Sequence, residues 1–237
     1  MIHNLSSYGD RCIDGLPIAV IDFETTGIDA RHCCPVEMSI VHMNLGSGNP
    51  EVVYEQRFNP GEKIPLEASL VHHIYDEDVQ DLLGFADHID EIQELLQGRV
   101  ISAYNLPYDY KILSRYSDHH KDFFGICGLN LSRYLDPYAR GKSRHSLGNT
   151  CSRHGITLSS AHSAAADSFA AAQLLDIQYE LLLKGDIYPG TMKEFWEWHV
   201  SVGRSNEESY KKYLEESGRY ETKYITDRWY PWLNWSD

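Results

Sequence analysis

The clearest hydrophobic block in the chain is Ile18-Ala-Val-Ile21, which runs without interruption into Asp22, Phe23 and Glu24 and then into Thr25-Thr-Gly27. An apolar run of this length, rich in β-branched residues, predicts a strand buried on both faces over 17–23, ended by the Thr-Thr-Gly. Residues 36–45 have the length and residue types of a second strand, and 46–50 (Gly-Ser-Gly-Asn-Pro) read as a turn. Residues 51–58, with Val52, Val53, Tyr54 and Phe58, return as a third strand, so the first three form an antiparallel meander. Asn59-Pro-Gly-Glu62 breaks the pattern, and 65–80 read as a loop with short helical turns. Phe85, Ile89, Ile92 and Leu96 then recur at helical spacing and predict an amphipathic helix over 85–97.

Residues 99–104 form a fourth predicted strand, reached through that helix and therefore expected to run parallel to the first. Asn105 is placed to cap a following helix that ends near 116, with Pro107 tolerated in its first turn. Asp109 then sits near the helix start and faces the strand ends. Residues 129–135 are expected as the fifth strand, 146–154 as a short helix, and 164–183 as a long helix. The long helix carries an apolar stripe of Ala170, Leu174, Ile177 and Leu181 and stops at Gly185. The expected fold class is α/β, a five-stranded mixed sheet with three antiparallel strands followed by two parallel ones, flanked by helices. Residues 1–185 are read as one domain and 186–237 as a helical, aromatic-rich extension.

Side chains alternate along a strand, so Asp22 and Glu24 leave it on the same face. Two neighbouring carboxylates repel, and a divalent cation is the simplest partner that lets both stay ionised at the rim of a core. Taken singly, each candidate residue has a plainer use. Asp22 and Glu24 could be a solvated strand end, Asp109 and Asp167 favourable acids at helix starts, and His162 an exposed histidine before a helix. The interval from His162 to Asp167 is wrong for one helical face, which places His162 in the preceding loop.

At 237 residues, 42% apolar and 24% charged, the chain has room for one sizeable domain and an appendage. No stretch approaches the ~20 uncharged apolar residues of a membrane helix. The first residues lack the pattern of a signal peptide, so a cytoplasmic protein is expected. Five cysteines without a C-x-x-C fit reduced thiols, and in His32-Cys33-Cys34 three adjacent residues cannot easily turn to one ion. The net charge of −14 argues against long, sequence-independent duplex binding. It is compatible with gripping a chain end through cations and a few local contacts.

Together, Asp22-x-Glu24, Asn105-x-x-x-Asp109 and His162-x-x-x-x-Asp167 resemble the DEDDh group of 3′-to-5′ exonucleases. This DnaQ-like branch of the ribonuclease H-like superfamily includes polymerase proofreading subunits and ribonuclease T. The resemblance spans about 17–183 and extends to Glu24-Thr-Thr-Gly27, Pro35-Val-Glu37, Asn59-Pro-Gly61, Val71-His72 ahead of Ile74, Asp76–Val79 and His145-x-Leu147. It implies a ribonuclease H-like sheet and two Mg2+ (or Mn2+) ions that hydrolyse phosphodiester bonds at single-stranded DNA or RNA 3′ ends and release nucleoside 5′-monophosphates. By the same resemblance Asp22 bridges both ions, while Glu24 and Asp167 hold the one beside the attacking water. Asp109 helps to position that ion, partly through water, and His162 takes the proton. Thr25 and Thr26 would hold the terminal sugar and Ile74 would lie against the terminal bases, with Phe23, Tyr104, Asn105 and Tyr108 on the substrate side. Three positions depart from the pattern: Tyr104 replaces a frequent His, Tyr108 a usual Phe, and His73 a common Gly. The alternative is a degenerate nuclease fold serving as a nucleic-acid-binding or protein-docking module, but such modules usually lack one or more of the acids and here none is missing. A nuclease for small oligonucleotide signals is a third.

Beyond Gly185 the resemblance stops. Trp196, Trp198, Trp229, Trp232 and Trp235 read either as packing on the core or as a platform for unpaired bases or a dimer contact. A homodimer, a polymerase and a defence complex are the partners left open at this point.

Overall fold

The structure, a computed structural model, describes residues 9–117, 125–141, 143–158, 163–185 and 190–218. Strand β1 (Pro17–Thr25) lies at the centre of a five-stranded sheet. On one side β2 (Pro35–Asn44) and β3 (Glu51–Arg57) continue antiparallel, and on the other β4 (Val100–Ala103) and β5 (Gly125–Cys127) continue parallel. The spatial order β3-β2-β1-β4-β5 is the mixed topology expected for a ribonuclease H-like fold.

Alternation along β1 divides the core into two layers. Ile18 and Val20 join Val41, Met43 and the apolar side of helix α7 (Ala164–Lys184). Ala19, Ile21 and Phe23 join Met38, Ile40 and the helices on the opposite face. That face is covered by the 3-10 turn Phe85–His88, which runs into α3 (Ile89–Leu96), and by α4 (Leu106–Leu113). Before them, α1 (Leu66–His72) and α2 (Asp76–Val79) enclose a small core of Val36, Ile64, Ile74 and Val79. His73 ends α1 at φ 58°, a left-handed conformation that glycine adopts more readily.

Two sequence expectations are corrected. The fifth strand is Gly125–Cys127, and the expected strand 129–135 is helix α5 (Gly128–Leu135). β5 is an edge strand of 3 residues, too short to show a period. The inner face of α5 is partly polar: Ser132 Oγ and the Gly128 carbonyl accept from Gln178 Nε2 at 2.8 and 3.0 Å, so the helical repeat of apolar residues is hidden. In α7, Ala170 and Leu174 are buried, but Ile177 and Leu181 are only partly covered. The helix is instead enclosed on several sides, with Ala164, Ser168, Ala171, Leu175, Gln178, Tyr179 and Leu182 also buried. It lies between the sheet, α5 and α6 (Leu147–Arg153), so no single stripe describes it.

The chain beyond α7 forms one long helix, α8 (Met192–Glu216), opened by a reciprocal capping box between Thr191 and Glu194. Phe195 is buried, and Trp196 and Trp198 pack against the core, the latter edge-on to Tyr134 at 5.1 Å. Trp229, Trp232 and Trp235 lie outside the described residues. His199 is fully buried, and its Nε2 accepts the Cys127 N–H at 3.2 Å, so α8 fastens onto the exposed edge of the sheet. Among the described residues no helix is long and apolar enough to cross a membrane.

Burial pushes the His199 imidazole down to about 4. The unfolded histidine titrates near 6.5, so the unfolded chain binds more protons between those values and stability falls as pH drops through that window. We expect His199→Gln to remove this acid-side loss, seen as a flatter melting temperature against pH between about 6.5 and 4 than in the wild type. His199→Ala should cost about 2–3 kcal/mol at neutral pH, from the cavity and the unanswered Cys127 N–H, in a denaturant titration.

Candidate active site

The parity that sends Ile18 and Val20 toward α7 sends Asp22 and Glu24 the same way, at the end of β1 where the apolar run stops. On the α7 side Asp167 stands in the first turn of the helix. Single carboxylate oxygens of Asp22, Glu24 and Asp167 lie within 4.8 Å of one another, all three side chains being partly accessible. From the other face α4 delivers Asp109, which is buried and accepts hydrogen bonds from its own N–H and from that of Phe23. The four acids predicted from the sequence therefore meet at one end of β1. His162 lies outside the described residues.

Helix α7 can come this close because its inner side is small where it crosses the sheet. Ser168 Oγ donates to Ser39 Oγ at 3.0 Å, and Ala164 is fully buried. A fifth acid, Glu37, seats the helix. It stands across the strand pair from Glu24, is 4% exposed, and accepts from Arg57 Nε and from the Ala164 N–H, each at 2.9 Å. Sequence reasoning noted Glu37 only as a landmark. The signal that would have singled it out is an acid between Val36 and Met38 in an otherwise apolar strand, which requires a built-in partner.

Electrostatics follow from the crowding. Burial, and then the charges of Asp109, Glu24, Asp167 and Glu37, hold the Asp22 carboxyl well above its usual range. Burial followed by Asp167, Glu37 and Asp109 pushes Glu24 up to about 8, and burial pushes Asp109 up to about 8. Arg57 answers Glu37. The remaining oxygens form a hard, all-carboxylate donor set without sulfur or imidazole, the type that suits Mg2+ or Mn2+. The residues present fit such ions.

The residues expected on the substrate side are distributed differently from the acids. Asn105 is exposed beside the site, and its side chain makes no cap to α4. Thr25 Oγ1, Tyr108 OH and the Gly27 carbonyl form a triangle of 2.6–2.7 Å, and Thr26 Oγ1 donates to Glu62 Oε1 at 2.7 Å while accepting the Cys34 N–H at 2.9 Å. Both threonine hydroxyls thus shape the turn after β1. The Phe23 side chain is in the core, edge-on to Phe85 at 5.5 Å, leaving only its backbone at the site. Ile74 is fully buried with Val36, Ile64 and Val79, so its side chain packs the loop and presents no surface to a base. The Tyr104 hydroxyl is occupied within the protein, donating to the His145 carbonyl at 2.7 Å and meeting Thr150 Oγ1 at 2.9 Å. Buried positions that look like substrate contacts in a linear motif here hold the loops in shape.

A family model described as exonuclease (RNase_T) matches residues 19–175. A DNA polymerase III PolC-type of Streptococcus thermophilus is 28% identical over 162 residues, covering 67% of this chain and 11% of the polymerase. A DNA polymerase III subunit epsilon-like protein of Rhodobacter capsulatus is 28% identical over 174 residues, covering 71% of this chain and 24% of that protein. The chain thus spans only a tenth to a quarter of the length of these relatives. Among solved structures, E. coli exonuclease I in complex with a dT13 oligonucleotide aligns with a TM-score of 0.56 at 20% identity, over 72% of this chain and 43% of that one. Exonuclease X in complex with 5′ overhanging duplex DNA aligns with a TM-score of 0.53 at 20% identity, over 75% of this chain and 98% of that one. At these identities the structural likeness establishes a shared fold.

The raised carboxyls make a stability prediction with a definite sign. Without metal, the folded chain keeps protons that the unfolded acids release near pH 4, so stability falls as pH rises from about 4 through 8. We expect Glu24→Gln to raise the metal-free melting temperature at pH 8 by a few degrees, on the order of 1–2 kcal/mol, and to leave it nearly unchanged at pH 4. Scanning calorimetry in a chelator checks both, and a lower melting temperature at pH 8 would contradict the crowding.

Proposed function

This chain belongs to the exonuclease family, and from that premise we propose that it is a metal-dependent 3′-to-5′ exonuclease acting on single-stranded DNA or RNA ends and releasing nucleoside 5′-monophosphates. The observation that carries the reading is the meeting of Asp22, Glu24 and Asp167 within 4.8 Å, with Asp109 buried against the same end of β1. Asp22, Glu24, Asp109 and Asp167 would hold two Mg2+ or Mn2+ ions. Those ions, when bound, supply the charge that activates a water and steadies the leaving 3′ oxygen.

The chain's own residues have the remaining tasks. Asp22 faces the charges of Asp109, Glu24, Asp167 and Glu37 and is the residue suited to be shared between two cations. Glu24 and Asp167 complete the set, and Asp109 helps to position it. His162 directly precedes Ser163, the N-cap of α7, in the sequence, and is assigned the proton from the attacking water, a role for which the unperturbed pKa of a histidine is suited. The turn Thr25–Gly27, held by Tyr108 and Glu62, offers its backbone to the terminal sugar, and Asn105 stands beside it. The raised carboxyls suit the same function, since a set that resists ionisation alone binds cations with release of protons. Residues 1–185 are assigned to the hydrolytic domain, and 186–237 to an extension whose α8 braces the sheet edge. Because relatives include DNA polymerase III components, a DNA 3′ end is the first substrate to test.

Asp22→Asn and His162→Ala should each lower kcat by at least about a hundredfold without loss of the folded state. The assay is release of mononucleotide from 3′-labelled and 5′-labelled DNA and RNA oligomers, with Mg2+ and with a chelator. Label loss first from the 3′ end, only with metal, is the expected result. Wild-type turnover in either variant, or digestion from the 5′ end, would overturn the assignment.

A further inference from the structure

The chain is strongly acidic as a whole, at −14, yet one segment reverses the sign. Residues 133–153 hold Arg133, Arg140, Lys142, Arg144 and Arg153 against the single acid Asp136, five of the chain's 21 Lys and Arg. The segment joins α5 to α6, and two fixed points set its place. The Tyr104 hydroxyl holds the His145 carbonyl at 2.7 Å. β4 runs parallel to β1, with Val20 opposite Ser102, so Tyr104, the residue after β4, lies at the same end of the sheet as Asp22. Farther along, α6 packs against α7, the helix that carries Asp167, with Cys151 buried between them. Both points put the segment beside the acidic site.

Not all of its cations are used alike. Arg153 is taken up by Asp136 at 3.0 Å and by the Arg144 carbonyl at 2.6 Å, so it ties the two ends of the loop together. Arg140 and Arg144 are exposed. Between α5 and these arginines Tyr138 is 88% exposed, the most exposed aromatic side chain among the described residues. Gly141 and Ser143 both adopt positive φ, of 103° and 53°. Cations interleaved with an exposed ring are the chemistry that binds an unpaired strand, phosphates to guanidinium groups and a base to the ring face.

We propose that Tyr138, Arg140 and Arg144 form a track for the single strand leading into the site. Arg140 and Arg144 take phosphates upstream of the 3′ end, and Tyr138 stacks on one base. This inference rests on the proposed nuclease activity and adds the part of the substrate that the acids cannot hold. It reconciles the −14 charge with a polyanionic substrate, because the long-range repulsion is met by a local positive strip at the entrance.

The test compares wild type with Arg140→Glu/Arg144→Glu and with Tyr138→Ala, all at exposed positions and checked by melting temperature. Binding of a fluorescent oligothymidylate of about fifteen nucleotides is read in a chelator, where no hydrolysis occurs, against salt. Hydrolysis of the same oligomer and of a dinucleotide is read with Mg2+. The double variant should lose at least about tenfold in oligomer affinity and about one unit of the salt slope, and Tyr138→Ala about fivefold in affinity with an unchanged slope. Dinucleotide hydrolysis should stay within about twofold of wild type, since that substrate is too short to reach the track. Unchanged oligomer affinity in both variants, or an equal fall on dinucleotide and oligomer, would overturn the track. Failure of the wild type to hydrolyse either substrate would contradict the nuclease reading instead, and the binding arm would still decide the track.

Discussion

Mutual repulsion among carboxylates at one end of β1 is the constraint to which the rest of the structure answers. Asp22, Glu24, Asp109 and Asp167 come from three elements distant in sequence, and each raises the ionisation cost of another. Such a cluster does not assemble for its own stability. It is imposed by surroundings that are over-determined: β1 buried on both faces, α7 enclosed on several sides, and α4 locked by Leu106, Ile112 and Leu113 in the core. The apolar layers supply the stabilisation, and the acids draw on it.

The supporting contacts share a logic. Glu37 is a buried acid that is fully answered, by Arg57 and by the first N–H of α7, and it fixes the helix that carries Asp167. Asp176 does likewise farther along α7, accepting the Gly46 and Gly48 N–H groups at 2.8 and 2.7 Å and so tying the helix to the turn between β2 and β3. His199 performs the same task for the sheet edge. Glu37, Asp176 and His199 each have a partner inside the chain, whereas the site acids crowd one another. That contrast makes the cluster compatible with an external cation.

The parts legible in the sequence were those with a strong local pattern. The apolar run before Asp22 located β1 and, through strand alternation, put both of its acids on the α7 face; the Phe85–Leu96 spacing and the Gly185 stop located helices in the same way. The failures have a common physical origin in polar groups satisfied by distant partners. Ser132 and Gln178 bond to each other inside the protein, so α5 lacked an apolar stripe and was taken for a strand. Ile74 and Tyr104 sit at motif positions beside the acids, but which way a side chain turns at a strand or loop end depends on packing that no linear spacing encodes. Glu37 went unassigned for the reverse reason, since its partners Arg57 and Ala164 are 20 and 127 residues away.

The central claim is that these four acids together hold a pair of divalent cations. Anomalous diffraction from a Mn2+-soaked crystal tests it most directly. The account predicts two manganese peaks about 3.5–4 Å apart, both touching Asp22, with Glu24 and Asp167 on one and Asp109 helping to position it. Manganese bound elsewhere with this cluster empty, at pH 8 where the acids can ionise, would contradict it.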